Sequence, residues 1–149
     1  MRVNVVFALT SMLGMTEALR RGCRVNRNNR GEGWYYTAPG DTLAIVAADF
    51  CTTPQIINQW SGRNDAPNAP LPGGINLKVP CRERRRDCRR NTPDGFGAYV
   101  IVSGDTLDDI SRDFCTDSDT VTRQNSHRIQ DKNIIFPGWQ IQVPCSWNQ

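Results

Sequence analysis

Apolar positions fall at a helical period in two stretches of this chain. Leu43, Val46, Ala47 and Phe50 sit at i, i+3, i+4 and i+7, and Leu107, Ile110, Ser111 and Phe114 repeat the pattern. Each stretch is predicted to be a short helix with one stripe facing a small core. Gly-Asp-Thr precedes both: the glycine lets the chain turn, and Asp and Thr are natural N-cap residues. A second helix is predicted after each first one. Thr53-Pro54 reads as an N-cap followed by proline at the first helical position, and Asp117 is the matching cap. Ile56, Ile57 and Val121 are expected to pack inward. Short extended runs at 35–39 and 99–103 precede the helices, and runs at 76–79 and 140–143 close them after loops rich in Gly, Pro and Asn.

The two patterns are one pattern written twice. Residues 35–81 align with 99–145 at a constant offset of 64, without a gap. Tyr35/Tyr99, the Gly-Asp-Thr-Leu runs at 40–43 and 104–107, the Asp-Phe-Cys-Thr runs at 49–52 and 113–116, Gly74/Gly138 and the closing Val-Pro-Cys triplets are identical. Such self-similarity marks two copies of one structural unit. The order strand, helix, helix, strand allows the two strands to pair antiparallel with both helices on one face. The expected class is therefore α+β: two tandem βααβ units, each a two-stranded antiparallel sheet, at 35–81 and 99–145. An N-terminal arm at 19–34, a linker at 82–98 and a tail at 146–149 complete the expected division.

Composition explains how units of this size would hold together. Only 38% of the 149 residues are hydrophobic, so a unit of 47 residues is marginal unless it is stapled. Six cysteines, Cys23, Cys51, Cys81, Cys88, Cys115 and Cys145, form an even set without a CxxC, and His127 is the only histidine. They read as disulfides formed in an oxidising compartment, and no metal or cofactor is expected. Met1-Arg2 followed by the apolar run VNVVFALTSMLGM, with Thr16 and Ala18 behind it, predicts a signal peptide over 1–18; the alternative is a buried N-terminal helix. The run is too short to span a bilayer, so a secreted, extracellular protein without membrane insertion is expected. Arg20-Arg21 offers a second, dibasic trimming point. The net charge of +3 is largely arginine, and six of the nine residues at 82–90 are Arg. That concentration reads as a solvated linker; attraction to an anionic wall or cleavage by a protease are the alternatives. Nucleic acid is not expected as a partner, because basic and aromatic residues are not interleaved over a face.

The repeated residues resemble the LysM carbohydrate-binding modules. Tyr99, Val102, Gly104-Asp105-Thr106-Leu107, Ile110, Asn125, Gly138, Ile141 and Val143-Pro144 carry the resemblance in the second copy. The first copy departs from it at Ala38-Pro39 and at Ser61, where the family has Asn, which lowers its expected binding strength. The likeness covers 94 of the 149 residues. A signal peptide, cysteine-bearing modules and no further domain resemble the secreted LysM effectors of fungi. This implies binding of chitin and chitin oligomers, which withholds fragments from host immune receptors or shields the fungal cell wall from chitinases. It implies a shallow groove between two loops of each module: Gly40, Asp41, Thr42 and Leu43 facing Ala69, Pro70 and Leu71, and Gly104, Asp105, Thr106 and Leu107 facing Asn133, Ile134 and Ile135. A neutral sugar chain needs backbone donors and acceptors and small apolar surfaces there.

Each of these residues also has a plainer role. The glycines serve the turn, the Asp and Thr residues cap helices, and Leu43 and Leu107 serve the core. Two adjacent aliphatics in a loop cannot both point inward easily, so one of Ile134 and Ile135 is expected to line the groove. Trp60 and Trp139 have no partner in the other copy and read as packing or exposed aromatic surface. The equivalence of the copies allows Cys51–Cys81 and Cys115–Cys145 with Cys23–Cys88; Cys23–Cys81 and Cys51–Cys88 with Cys115–Cys145 is an alternative. Two sites on one chain would gain avidity on a polymer or bridge two protein molecules through one oligomer. No catalytic residues are assigned: Asp108-Asp109 and Asp117/Asp119 fall on an outer helix face or a helix start, not in a cleft between paired carboxylates. Peptidoglycan binding and a structural wall role without sugar affinity are the competing readings.

Overall fold

A computed structural model of the protein describes residues 20–147. The predicted signal peptide lies outside the described residues. Ten elements follow in order: β1 (Arg24–Val25), β2 (Glu32–Tyr36), α1 (Leu43–Asp49), α2 (Pro54–Ser61), β3 (Asn76–Pro80), β4 (Arg89–Arg90), β5 (Phe96–Val100), α3 (Leu107–Asp113), α4 (Ser118–Gln124) and β6 (Gln140–Pro144). The described residues are α+β, with four short helices, two small antiparallel sheets and three disulfides.

The predicted caps form. The Thr42 hydroxyl accepts from the Ile45 amide at 3.3 Å and the Thr106 hydroxyl from the Asp109 amide at 3.1 Å. Thr53 and Asp117 cap α2 and α4 in the same way. Capping satisfies amides that a helix start leaves without partners, a contribution of about 1 kcal/mol each. The helical stripes are buried as the spacing requires: Leu43, Val46, Ala47 and Phe50 in one core, Leu107, Ile110 and Phe114 in the other. Ser111 occupies the stripe by donating its hydroxyl to the Leu107 carbonyl at 2.6 Å.

Each sheet has three strands, not two. β1 pairs with β2 and β2 with β3; β4, β5 and β6 repeat the arrangement. The extra strands come from the stretches expected to be an arm and a linker. Their equivalence was hidden by one additional residue: Cys23 corresponds to Cys88 at an offset of 65, against 64 for the rest. Gly33 and Gly97 sit where the outer strand and the disulfide close over the middle strand. A Cβ on Gly33 would lie 2.5 Å from the Arg24 carbonyl oxygen and from Cys81 Cβ; on Gly97 it would lie 2.6 Å from the Arg89 oxygen.

The disulfides correct the expected pairing. Cys23 bonds Cys81 and Cys88 bonds Cys145, each tying an outer strand to the end of the last strand of its own half. Only Cys23–Cys81 was among the alternatives. Cys51 bonds its own repeat equivalent, Cys115, and so joins the halves. Both residues follow the first helix of their half in a left-handed backbone, at φ 54° and 59°. Reasoning within one copy could not anticipate a bond between equivalents.

Arg82, Arg85 and Arg89 of the arginine run are exposed, as a solvated linker requires, but Arg84 and Arg86 are not. Arg84 turns in against the first half, bonding the Asp49 carboxylate at 2.6 Å and stacking over the Phe50 ring at 4.4 Å. Arg86 spans Asp105 at 2.7 Å and Asp113 at 2.8 Å. Arg20 and Arg21, read as a trimming point, both bind Asp49, and Arg21 also binds Asp41. Trp147 is buried, stacked on Phe114 and covered by the Arg20 guanidinium at 4.0 Å. Asp49 and Asp113 end α1 and α3, and Asp41 and Asp105 lie in the turns just before these helices; the side chains of all four are at most 10% exposed, and their charges draw the arginines in.

Candidate functional site

Asp41 and Asp105 occupy the same node in the two halves. Asp41 accepts from the Tyr35 hydroxyl at 2.5 Å, from the Ala38 amide at 2.8 Å and from the Arg21 guanidinium at 2.6 and 3.0 Å. Asp105 accepts from Tyr99 at 2.6 Å, from the Val102 amide at 3.0 Å and from Arg86 at 2.7 and 2.9 Å. Burial alone would raise these carboxyl pKa values. The bonds from tyrosine, amide and arginine outweigh it and hold both below the usual carboxylate range. Burial and the same carboxylate push the Tyr35 hydroxyl up to about 12, and Tyr99 moves in the same direction. The aspartate side chains therefore fix the loop; they have little capacity left for a ligand.

The loops beside these nodes differ between the halves. In the first half they are joined. Leu71 donates to the Asp41 carbonyl at 2.7 Å, Ala44 donates to the Pro67 carbonyl at 2.8 Å, and Thr42 pairs with Pro70 as an isolated bridge. Gly40, Ala69 and Pro70 are exposed, whereas Asp41, Leu43 and Leu71 are buried and Thr42 is half-buried. The backbone groups at this edge are thus already bonded to one another.

In the second half the corresponding loops stand apart. A groove of about 340 Å³ runs between Asp105–Asp108 and Lys132–Ile135. The Asp108 and Ile135 amides and the Asp105 carbonyl correspond to the groups joined in the first half. Here they form no such backbone bond among the described residues, and the Asp131 carbonyl, equivalent to Pro67, accepts from Ile134 instead. Thr106, Leu107 and Asn133 line the groove. Gly104 turns the chain at φ 89° beside it. Ile135 lines the groove and packs on the core, while Ile134 stands 53% exposed. Leu107 serves both core and groove.

Asp108 and Lys132 also line this groove and were not among the sequence candidates. Asp108, expected on an outer helix face, borders the groove instead, and Lys132 is held by Asp119 at 3.3 Å. Trp139 packs edge-on to the exposed Phe136 at 5.1 Å, so the apolar surface beside the groove continues to the end of the loop. Asn125 is structural: its amide donates to the Val121 and Gln142 carbonyls and its oxygen accepts from Gln142 N. Ser61 keeps one of these bonds, accepting from Lys78 N at 2.9 Å. A larger hollow of about 490 Å³ lies between the halves, beside Cys51–Cys115. Arg82 and Arg112 flank it, and it contains none of the predicted loop residues.

The LysM domain family matches residues 99–144, the half with the open groove. The secreted LysM effector Vd2LysM of Verticillium dahliae is 38% identical over 151 residues, spanning 99% of this chain and 100% of that one. The N-acetylmuramoyl-L-alanine amidase sle1 of Staphylococcus aureus is 27% identical over 94% of this chain, which spans 42% of the enzyme's length. Among solved structures, the spore cortex-lytic enzyme SleL of Bacillus cereus superposes with a TM-score of 0.31 at 23% identity, over 77% of this chain and 23% of that one. That superposition carries no argument about function. On its identity along the whole length of the Verticillium protein, the chain belongs to the family of secreted LysM effectors.

Proposed function

We propose that the protein is a non-catalytic binder of chitin oligomers, built from two tandem LysM modules, and that the second module holds the sugar. The observation that carries this reading is the set of unjoined backbone groups at the 105–108 and 132–135 loops. An N-acetylglucosamine acetamide brings one carbonyl, one N–H and a methyl group. The Asp108 and Ile135 amides offer donors, the Asp105 carbonyl an acceptor, and Leu107 and Ile135 an apolar floor. Burying such a ligand satisfies backbone groups that the first module satisfies by itself.

A hydrolytic role has no support in the carboxylates. Asp109 pairs with Arg112, Asp117 caps α4 and Asp119 holds Lys132. The biological reading is capture of chitin fragments before host receptors meet them, or cover of the fungal wall. Bridging of two protein molecules by one long oligomer fits a single groove open at the surface. The likeness to the staphylococcal amidase, named for an N-acetylmuramoyl substrate, favours peptidoglycan as the second reading.

Equivalent exposed positions test both parts. Asn133→Trp fills the open groove, and Ala69→Trp places the same ring at the joined loops of the first module. By calorimetry with chitin tetramer, Asn133→Trp is expected to weaken binding by at least about tenfold, a loss of about 1.4 kcal/mol. Ala69→Trp is expected to leave it unchanged. Absence of heat from the folded native chain with chitin, beside a clear signal with a peptidoglycan fragment, would select the second reading.

A further inference from the structure

The outer face of the first sheet carries a surface that the groove does not use. Trp34 and Tyr36 alternate with buried Tyr35 on β2, so both rings stand on the same outward face, about 7 Å apart along the strand. They are 37% and 67% exposed. Arg24 lies across from Trp34 on β1, and Asn76 across from Tyr36 on β3. These four residues and Arg27 line a hollow of about 530 Å³. Arg24 and Arg27 are exposed, and among the described residues neither makes an ion pair with a carboxylate. Glu32, the acid that the described strands place on this face, is already paired with Lys78 at 2.6 Å. The corresponding face of the second sheet lacks the neighbouring exposed ring pair: Ala98, Val100 and Gln140 replace Trp34, Tyr36 and Asn76, and its ring, the half-buried Phe96, stands where the first sheet has Glu32.

Neighbouring exposed rings on a flat strand are costly to leave in water and favour a partner with flat apolar faces. Pyranose rings have such faces in their C–H surfaces. The free guanidiniums add a requirement for negative charge, and their planar forks match carboxylates. Asn76 supplies an amide for hydroxyl groups. From this combination we infer that the first module binds a polyuronate, a polysaccharide of carboxylate-bearing sugar rings, across the Trp34–Tyr36 face. The two modules then divide the work: a neutral amino sugar enters the groove of the second, and an acidic glycan lies on the sheet of the first.

The test uses the oxidised full chain and a polygalacturonate decamer, followed by calorimetry at two salt concentrations. The same decamer fully methyl-esterified removes the charge and keeps the rings. Tyr36→Ala, Trp34→Ala with Tyr36→Ala, and Arg24→Ser with Arg27→Ser address the two halves of the argument. Thermal melting verifies the fold, and Tyr36→Ala, at the more exposed ring, serves if the double aromatic variant melts early. Binding to the acidic decamer is expected, weakened by about tenfold or more on esterification and in each double variant. The arginine variant should also show a flatter salt dependence. The inference is overturned if the acidic decamer does not bind, or if folded aromatic variants bind it as well as the native chain. It is equally overturned if single-stranded DNA of matched charge binds more tightly, which would make the face a general polyanion or nucleic-acid surface.

Discussion

Ala44 and Asp108 are equivalent residues in the first turns of α1 and α3, but their amides differ. Ala44 N–H is bonded to the Pro67 carbonyl, and Asp108 N–H lies beside an open groove without a backbone acceptor among the described residues. Around them the two halves are alike. Both have an Asp–Tyr–Arg node, a glycine beneath the closing disulfide, and the same strand register. The comparison separates what the module needs in order to fold from what it needs in order to bind. The node and the glycine appear twice and belong to folding. The unjoined loops appear once and, in the function proposed above, serve binding.

The largest effect expected from this division is on the shared node. Asp41→Ala and Asp105→Ala each leave a tyrosine hydroxyl, an amide and a guanidinium without their acceptor. Each should cost about 3 kcal/mol in denaturant unfolding, as for one partner removed from a buried pair. A large cost in only one module would break the equivalence. Gly33→Ala and Gly97→Ala come next, at about 1–3 kcal/mol each, because the new methyl collides with backbone and with the disulfide. Thermal melts of the two variants should fall together.

The pH dependence follows from the same node and sharpens the comparison. The Asp41 and Asp105 carboxyls are depressed in the folded state. Their stabilisation is therefore present above the ordinary value of about 4 and is lost as pH falls through the lower folded values. Tyr35 is raised to about 12, so its contribution is present below its ordinary value of about 10 and is lost as pH rises through 12. Unfolding midpoints measured from pH 2 to pH 11, on the order of one unit apart, should fall at the acid end and begin to fall above about pH 10. In Tyr35→Phe with Tyr99→Phe the alkaline fall should shrink. The smallest effect is expected from Asn125→Ser, which gives the second module the residue of the first. It should cost about 1 kcal/mol, from three side-chain bonds of which the hydroxyl restores one.

Much of the fold was legible because local chemistry agreed with the tertiary packing. The stripes at 43–50 and 107–114, the caps at Thr42, Thr53, Thr106 and Asp117, and the closing strands all satisfy local rules that the cores then reinforce. The disulfide between Cys51 and Cys115 was not legible, since it depends on how two copies face one another. The third strands were hidden by the one-residue shift that separates Cys23–Cys88 from the rest of the repeat. The arginines at 84 and 86 were misread because a run of like charge resembles a solvated segment until its aspartates are located in space. At the site, the Gly-Asp-Thr-Leu loops look identical in sequence. Whether they are open depends on backbone carbonyls and amides of the opposing loop, which side-chain identity does not report.

The central claim is that one groove, in the second module, takes the chitin oligomer. Backbone amide chemical shifts of the isotopically labelled, oxidised chain, titrated with chitin tetramer, address it most directly. Shifts concentrated at residues 104–108 and 132–136, with residues 40–44 and 67–71 unmoved, are the predicted result. Shifts at the first loops, at both sets equally, or at neither would contradict it.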